Sequence, residues 1–112
     1  MTNFRPEPAN RCEEYLAWIR SQPSVESGER GCVAHHVLGS RYGTLKTSDF
    51  LAIPLTDIEH KRLHQDWREW ERLHGPQRAH SAELLDRAIS LGLLSVDQKA
   101  MRRAAQSEVW CS

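Results

Sequence analysis

Apolar positions fall in short clusters along the chain, and their spacing changes from one cluster to the next. In 10–22, Cys12, Leu16 and Ile19 recur every three to four residues with Tyr15 and Trp18 beside them. That period gives a helix one apolar face, and Pro23 stops it. In 31–38 (GCVAHHVL) the β-branched Val33 and Val37 sit between glycines, which predicts a short strand. A polar connection over 39–49 leads to 50–55 (FLAIPL), a second short strand whose Pro54 puts its end at a sheet edge. Thr56-Asp57-Ile58-Glu59 has the form of a capping box, in which the Thr56 hydroxyl accepts from the Glu59 amide while Glu59 reaches back. The helix it opens runs to about residue 73, buries Leu63, Trp67 and Trp70 on one face, and ends at Gly75-Pro76. Two C-terminal helices occupy about 81–107. The first opens at Ser81 with Leu84, Leu85, Ala88 and Ile89 inward, and the second opens at the box Ser95-Val96-Asp97-Gln98. Residues 1–9 are polar with two prolines and read as a loose tail. The expected fold is α+β, mostly α: a β-hairpin and helix over about 31–74, flanked by one helix before and two after.

Length and charge narrow the possibilities further. A chain of 112 residues fits one domain, 1–112, with a thin core to which four tryptophans contribute. No apolar run approaches the ~18–20 residues of a membrane span, and the first ten residues lack the apolar stretch of a signal peptide. The expectation is a cytoplasmic protein without a membrane partner. Lysine plus arginine balance aspartate plus glutamate at fifteen each, for a formal net charge of zero. DNA binding by bulk positive charge is thereby excluded, and any nucleic-acid contact must come from a local basic patch. The three cysteines (Cys12, Cys32, Cys111) are odd in number and not metal-spaced, so reduced thiols are expected.

Histidine is the informative residue. Four of the six fall in two tight groups, His35-His36 and His60-x-x-x-His64. Residues four apart on a helix share a face, roughly 5–6 Å apart at Cβ, so two imidazoles there can converge on one ion. A third imidazole from the neighbouring strand completes a facial set and leaves positions open for water or a phosphate oxygen. Only one of His35 and His36 can face such a site, because strand neighbours point to opposite sides. A zinc-protease reading fails, since the residue after the first helical histidine must be a glutamate base and here is Lys61. His74 and His80 flank the Gly-Pro turn as surface or capping residues, and Trp18, Trp67, Trp70 and Trp110 read as core.

The order of these pieces carries a family resemblance over 15–75. YLAWIRSQP, then AHH, then Gly43-x-x-Lys46-x-x-Asp49, then IPL, then His-x-x-x-His, then a Trp-rich helix ending His-Gly resembles the HNH nucleases of the ββα-metal fold. These occur in phages and prophages and include the recombination-enhancement (Ref-like) branch. The resemblance implies a metal-dependent DNA endonuclease, phage- or prophage-encoded and acting in a bacterial host cell. His35, His60 and His64 would ligate one divalent ion (Mg, Mn, Ni or Zn). His36, on the opposite face, would be the general base that activates water. Asp49 falls where the family places a middle Asn or Asp that braces the loop and orients the base, the alternative being a simple turn or cap residue. Arg41 and Lys46 are candidates for phosphate contact, with Lys61 and Arg62 at the helix N-terminus as further ones.

One departure from the family is informative. Many relatives carry P-C-x-x-C-G before the first strand and a second cysteine-bearing turn at the helix start, which together bind a structural zinc. Here the first reads Pro23-Ser24-Val25-Glu26-Ser27-Gly28 and the second Thr56-Asp57-Ile58-Glu59, without a thiol in either. No structural zinc is expected, and the capping box takes over starting the helix. A function of a different class stays open: a non-catalytic module, binding nucleic acid or a partner, that retains the fold.

Overall fold

The computed structural model describes residues 11–37 and 48–94. Helix α1 (Glu13–Arg20) leads to strand β1 (Val33–His36). A single 3₁₀ turn (Asp49–Leu51) precedes strand β2 (Ala52–Leu55), and helices α2 (Asp57–Gln65), α3 (Trp67–His74) and α4 (Gln77–Ser90) follow. The fold is α+β and mostly helical, with β1 and β2 forming one antiparallel pair in the register Val33↔Leu55, Ala34↔Pro54, His35↔Ile53, His36↔Ala52. Among the described residues no helix is long and apolar enough to cross a membrane.

The apolar face of α1 packs as its period dictates. Tyr15, Leu16 and Ile19 are buried and meet Ala52, Ile53, Leu55, Leu63, Trp70, Leu84 and Ala88 in one core. All four residues of β2 are buried, because α1, α2 and α4 each contact this strand. Pro54 fits there at no cost to the sheet: β2 has a single partner strand, and the Pro54 carbonyl accepts from the Val25 amide at 3.1 Å.

The capping box forms as read. The Glu59 amide donates to Thr56 Oγ1 at 3.3 Å, and the Thr56 amide donates to Glu59 Oε1 at 2.9 Å. Glu59 also ties α2 to the turn after α1, since Ser24 Oγ donates to Glu59 Oε1 at 2.5 Å and accepts from the Glu26 and Ser27 amides. Ser24 and Glu59, both buried, therefore join this turn to the start of α2 through a hydroxyl–carboxylate hydrogen bond. These protein–protein bonds hold the turn against α2, so the far-ultraviolet circular dichroism of the chain is expected to survive exhaustive chelation. Its collapse in EDTA would show that the turn depends on a metal.

Burial alone would raise the pKa of Glu59, but hydrogen bonds from Ser24, Ser27 and Thr56 outweigh it and hold the carboxyl below its ordinary 4.5. A folded-state pKa below the unfolded one contributes stability that is full above the unfolded value and is lost as pH falls through the folded one. Urea midpoints should therefore drop on acidification below about pH 4.5. Glu59→Gln should be less stable at neutral pH yet lack this part of the acid limb. An unchanged acid slope in Glu59→Gln would remove the carboxylate from the account.

Several boundaries differ from the sequence reading. The helix expected from 56 to 73 is two helices, because Asp66 leaves helical geometry (φ −156°, ψ 87°). Its side chain then caps α3 by accepting from the Glu69 amide at 3.1 Å. An aspartate with a glutamate three residues on is itself an N-terminal signature, so the break was written in the chain. Leu63 and Trp70 are buried as expected, whereas Trp67 is half-buried. The next helix starts at Gln77 rather than Ser81. Gly75, at φ 89°, ends α3 in a conformation that favours glycine, and Pro76 supplies the N-cap of α4. Ile89 is 38% exposed, not inward. Residues 49–51 are a 3₁₀ turn, so the second strand is shorter than 50–55. The box at Ser95 and the last helix, with Trp110 and Cys111, lie outside the described residues.

Candidate metal centre

Strand β1 delivers His35 and His36 to opposite sides. His35 is 1% exposed and faces α2, where His60 and His64 lie one turn apart. The three rings meet edge to face, with centroids 4.9 Å apart for His35–His60, 5.3 Å for His35–His64 and 4.5 Å for His60–His64. One ring nitrogen from each lies within 4.8 Å of the others, which makes this the one group among the described residues able to hold a metal ion. Burial decreases outward from buried His35 through half-buried His60 to exposed His64.

The donor set suits a divalent ion. Nε2 of His60 and Nε2 of His64 are 3.0 Å apart. Two nitrogens each ~2.0–2.1 Å from one ion lie roughly 2.8–3.4 Å apart at octahedral to tetrahedral angles. Desolvation, reinforced by the neighbouring imidazoles, pushes the His35 pKa down to about 4, against the hydrogen bond to the Gln77 side-chain carbonyl oxygen that works to raise it. Burial, with the charge of His64, also lowers His60, and Asp57 only partly offsets this. Both rings therefore keep a free lone pair at neutral pH, the form that binds metal. Three imidazoles without a carboxylate or thiolate suit zinc, nickel and similar borderline ions better than magnesium.

On the other side of β1, His36 Nε2 donates to Asp49 Oδ1 at 2.7 Å. Asp49 is 4% exposed and also accepts from the Cys12 amide at 2.6 Å and from Arg11 at 3.3 Å. Its burial would raise its pKa, but the bonds from His36, Cys12 and Arg11 outweigh that and hold the carboxyl low. An ionised Asp49 fixes the proton of His36 on Nε2 and leaves the Nδ1 lone pair available. Of the two readings of Asp49, the structure places it against His36 while its backbone opens the 3₁₀ turn capped by Ser48.

The basic candidates fare differently. Lys61 pairs with Asp57 at 3.0 Å and Arg62 with Glu26 at 3.3 Å, both as exposed cations on α2. The Lys61–Asp57 pair is exposed on both sides, is worth little and is readily exchanged for another anion, whereas Glu26 is largely buried and also accepts from Trp70. Arg41 and Lys46 lie outside the described residues. His74 and His80 are both half-buried, and His80 Nε2 donates to the His74 carbonyl at 2.7 Å, capping the end of α3. Trp70 is core as read, and its Nε1 donates to Glu26 at 3.0 Å.

Sequence reasoning missed Gln77, Glu71 and Arg11. Gln77 is 1% exposed, and its Oε1 lies 2.9 Å from His35 Nε2. It stands just after Gly75-Pro76, in a stretch the sequence marks only as a turn, and a lone polar residue there carries no periodic signal. Arg11 precedes α1, and only the fold brings it to Asp49.

A family profile described as "Protein of unknown function (DUF968)" matches residues 4–92, which includes every residue of this centre. The chain is 31% identical over 85 residues to the "Uncharacterized protein YdfU" of Escherichia coli (strain K12). That alignment covers 74% of this chain and 24% of the relative, so the chain spans about a quarter of the length of the protein it matches. No solved structure matches the chain. With four-fifths of its length inside the profile, the chain belongs to the DUF968 family.

Proposed function

We propose that the chain is a metal-dependent endonuclease of the HNH, ββα-metal type that hydrolyses DNA phosphodiester bonds. The observation that carries the reading is the division of labour on β1. His35 joins His60 and His64 in a three-imidazole cluster, while the adjacent His36 is held by buried Asp49 with one ring nitrogen to spare. A metal site alone would need no oriented second imidazole beside it. The resemblance noted in the sequence assigns the same four histidines to the same roles.

In this reading His35, His60 and His64 hold one divalent ion. When bound, that ion supplies Lewis-acid stabilisation of charge on the scissile phosphate and its departing 3′ oxygen. His36 takes a proton from the attacking water at Nδ1, and Asp49 keeps the Nε2 proton in place and stabilises the imidazolium that results. Hydrolysis leaves a 5′-phosphate. Lys61 and Arg62 exchange their carboxylate partners for DNA phosphates, which makes cleavage strongly salt-dependent.

The test is a plasmid-nicking assay with Mg²⁺, Mn²⁺, Ni²⁺ or Zn²⁺, run beside His36→Ala. Metal-dependent nicking lost in the variant supports the nuclease. A chain that binds no divalent ion and cleaves nothing is instead a non-catalytic binding module on the same fold.

A further inference from the structure

A buried imidazole offers one nitrogen to a metal only if its other nitrogen is held. His35 is the most deeply buried of the three rings, so what holds it decides which nitrogen it presents. We propose that Gln77, backed by Glu71, is a positioning residue that fixes His35 as its Nε2–H tautomer and leaves Nδ1 to face His60 and His64. The inference rests on the metal-centre reading above and adds the residues that orient its innermost ligand.

The hydrogen-bond directions follow from the far end of the chain of contacts. Glu71 Oε2 accepts from the Gln77 backbone amide at 2.8 Å and lies 3.3 Å from Gln77 Nε2. A carboxylate oxygen only accepts, so the amide group of Gln77 must turn its NH₂ toward Glu71. Its Oε1 then faces His35 Nε2 at 2.9 Å. An amide oxygen also only accepts, so His35 Nε2 carries the proton. Nδ1 is the nitrogen that remains. Gln77 is buried, and turning its amide over would set the Oε1 oxygen against the Glu71 carboxylate, two acceptors with no proton between them.

The arrangement differs from a carboxylate placed directly on a histidine. The amide separates the Glu71 charge from the imidazole by one group, so His35 is oriented without a charged partner on its ring. It also extends the centre beyond the hairpin and α2. Gln77 is the first residue of α4 and Glu71 sits in α3, so the Gly75-Pro76 junction between those helices sets the distance on which His35 depends.

The experiment uses the full chain in two measurements. Nitrogen-15 signals of the His35 ring, recorded metal-free at neutral pH, should show the Nε2–H tautomer. In Gln77→Met that preference should be lost, and the affinity for Zn²⁺ by calorimetric titration should fall roughly 10–100-fold, the usual cost of an outer partner of a ligand histidine. The exchanged pair Gln77→Glu with Glu71→Gln keeps an acceptor on His35 Nε2 and offers it an amide donor from position 71, at the expense of the bond from the residue-77 backbone amide. It should restore both the tautomer and, within a few-fold, the affinity. A wild-type His35 carrying its proton on Nδ1 overturns the proposal, as does a folded Gln77→Met with unchanged tautomer and affinity. Should Gln77→Met fail to fold, the exchanged pair decides: Nε2–H retained supports the assignment, Nε2–H lost overturns it. Absence of Zn²⁺ binding in the wild type would end the metal-centre reading, while the ring signals would still decide what Gln77 does.

Discussion

Replacing His64 with alanine is expected to abolish divalent-ion binding and DNA cleavage together while leaving the fold intact. His64 is exposed on α2, and its ring meets those of His35 and His60. Exposed substitutions of this kind move stability by only about 0.5 kcal/mol, and alanine is the better helix former. The loss in affinity should exceed the ~10–100-fold that removing an outer partner costs, because a ligand itself is gone. Calorimetric titration and the nicking assay, run beside an unchanged urea midpoint, check it. Full metal affinity in His64→Ala would exclude the three-imidazole site.

The second large effect separates binding from chemistry. His36→Ala should keep the wild-type affinity for the ion while cleavage falls by roughly 10²–10⁴-fold, the usual worth of a general base. On the proposed roles, the geometry separates the two effects. His36 points away from its neighbour His35, and its Nε2 is committed to Asp49 at 2.7 Å. Asp49→Asn should lower cleavage in the same direction with the metal retained, since an asparagine can present its NH₂ to His36 and favour the wrong tautomer. If His36→Ala loses the ion and His35→Ala keeps it, the two roles are exchanged. If His36→Ala cleaves as well as the wild type, water is activated by some other group.

The parts legible in the sequence share a physical character: each rests on residues within a few positions of one another. The Thr56–Glu59 box is a four-residue pattern, and it forms. His60 and His64 share a helix face because a turn is 3.6 residues, whatever the rest of the chain does. The alternation of a strand puts His35 and His36 on opposite sides for an equally local reason. The break at Asp66 was local too, but the continuous apolar stripe of Leu63, Trp67 and Trp70 masked the cap beneath it.

What joins these pieces is not local. The sequence by itself determined the order of strands and helices, the two histidine groups and the cap that starts α2, because short-range sterics and periodicity act within a turn or a strand. Only the tertiary structure decided that His35 faces α2 and His36 faces Asp49, a choice made when the antiparallel register buried one side of β1. It also decided that Gln77 reaches His35 across 42 positions, that Arg11 and the Cys12 amide hold Asp49, and that Ser24 closes on Glu59. Each of these polar groups is satisfied by a partner far along the chain, and burial forces that pairing, since an unpaired polar group away from water costs about 1–3 kcal/mol.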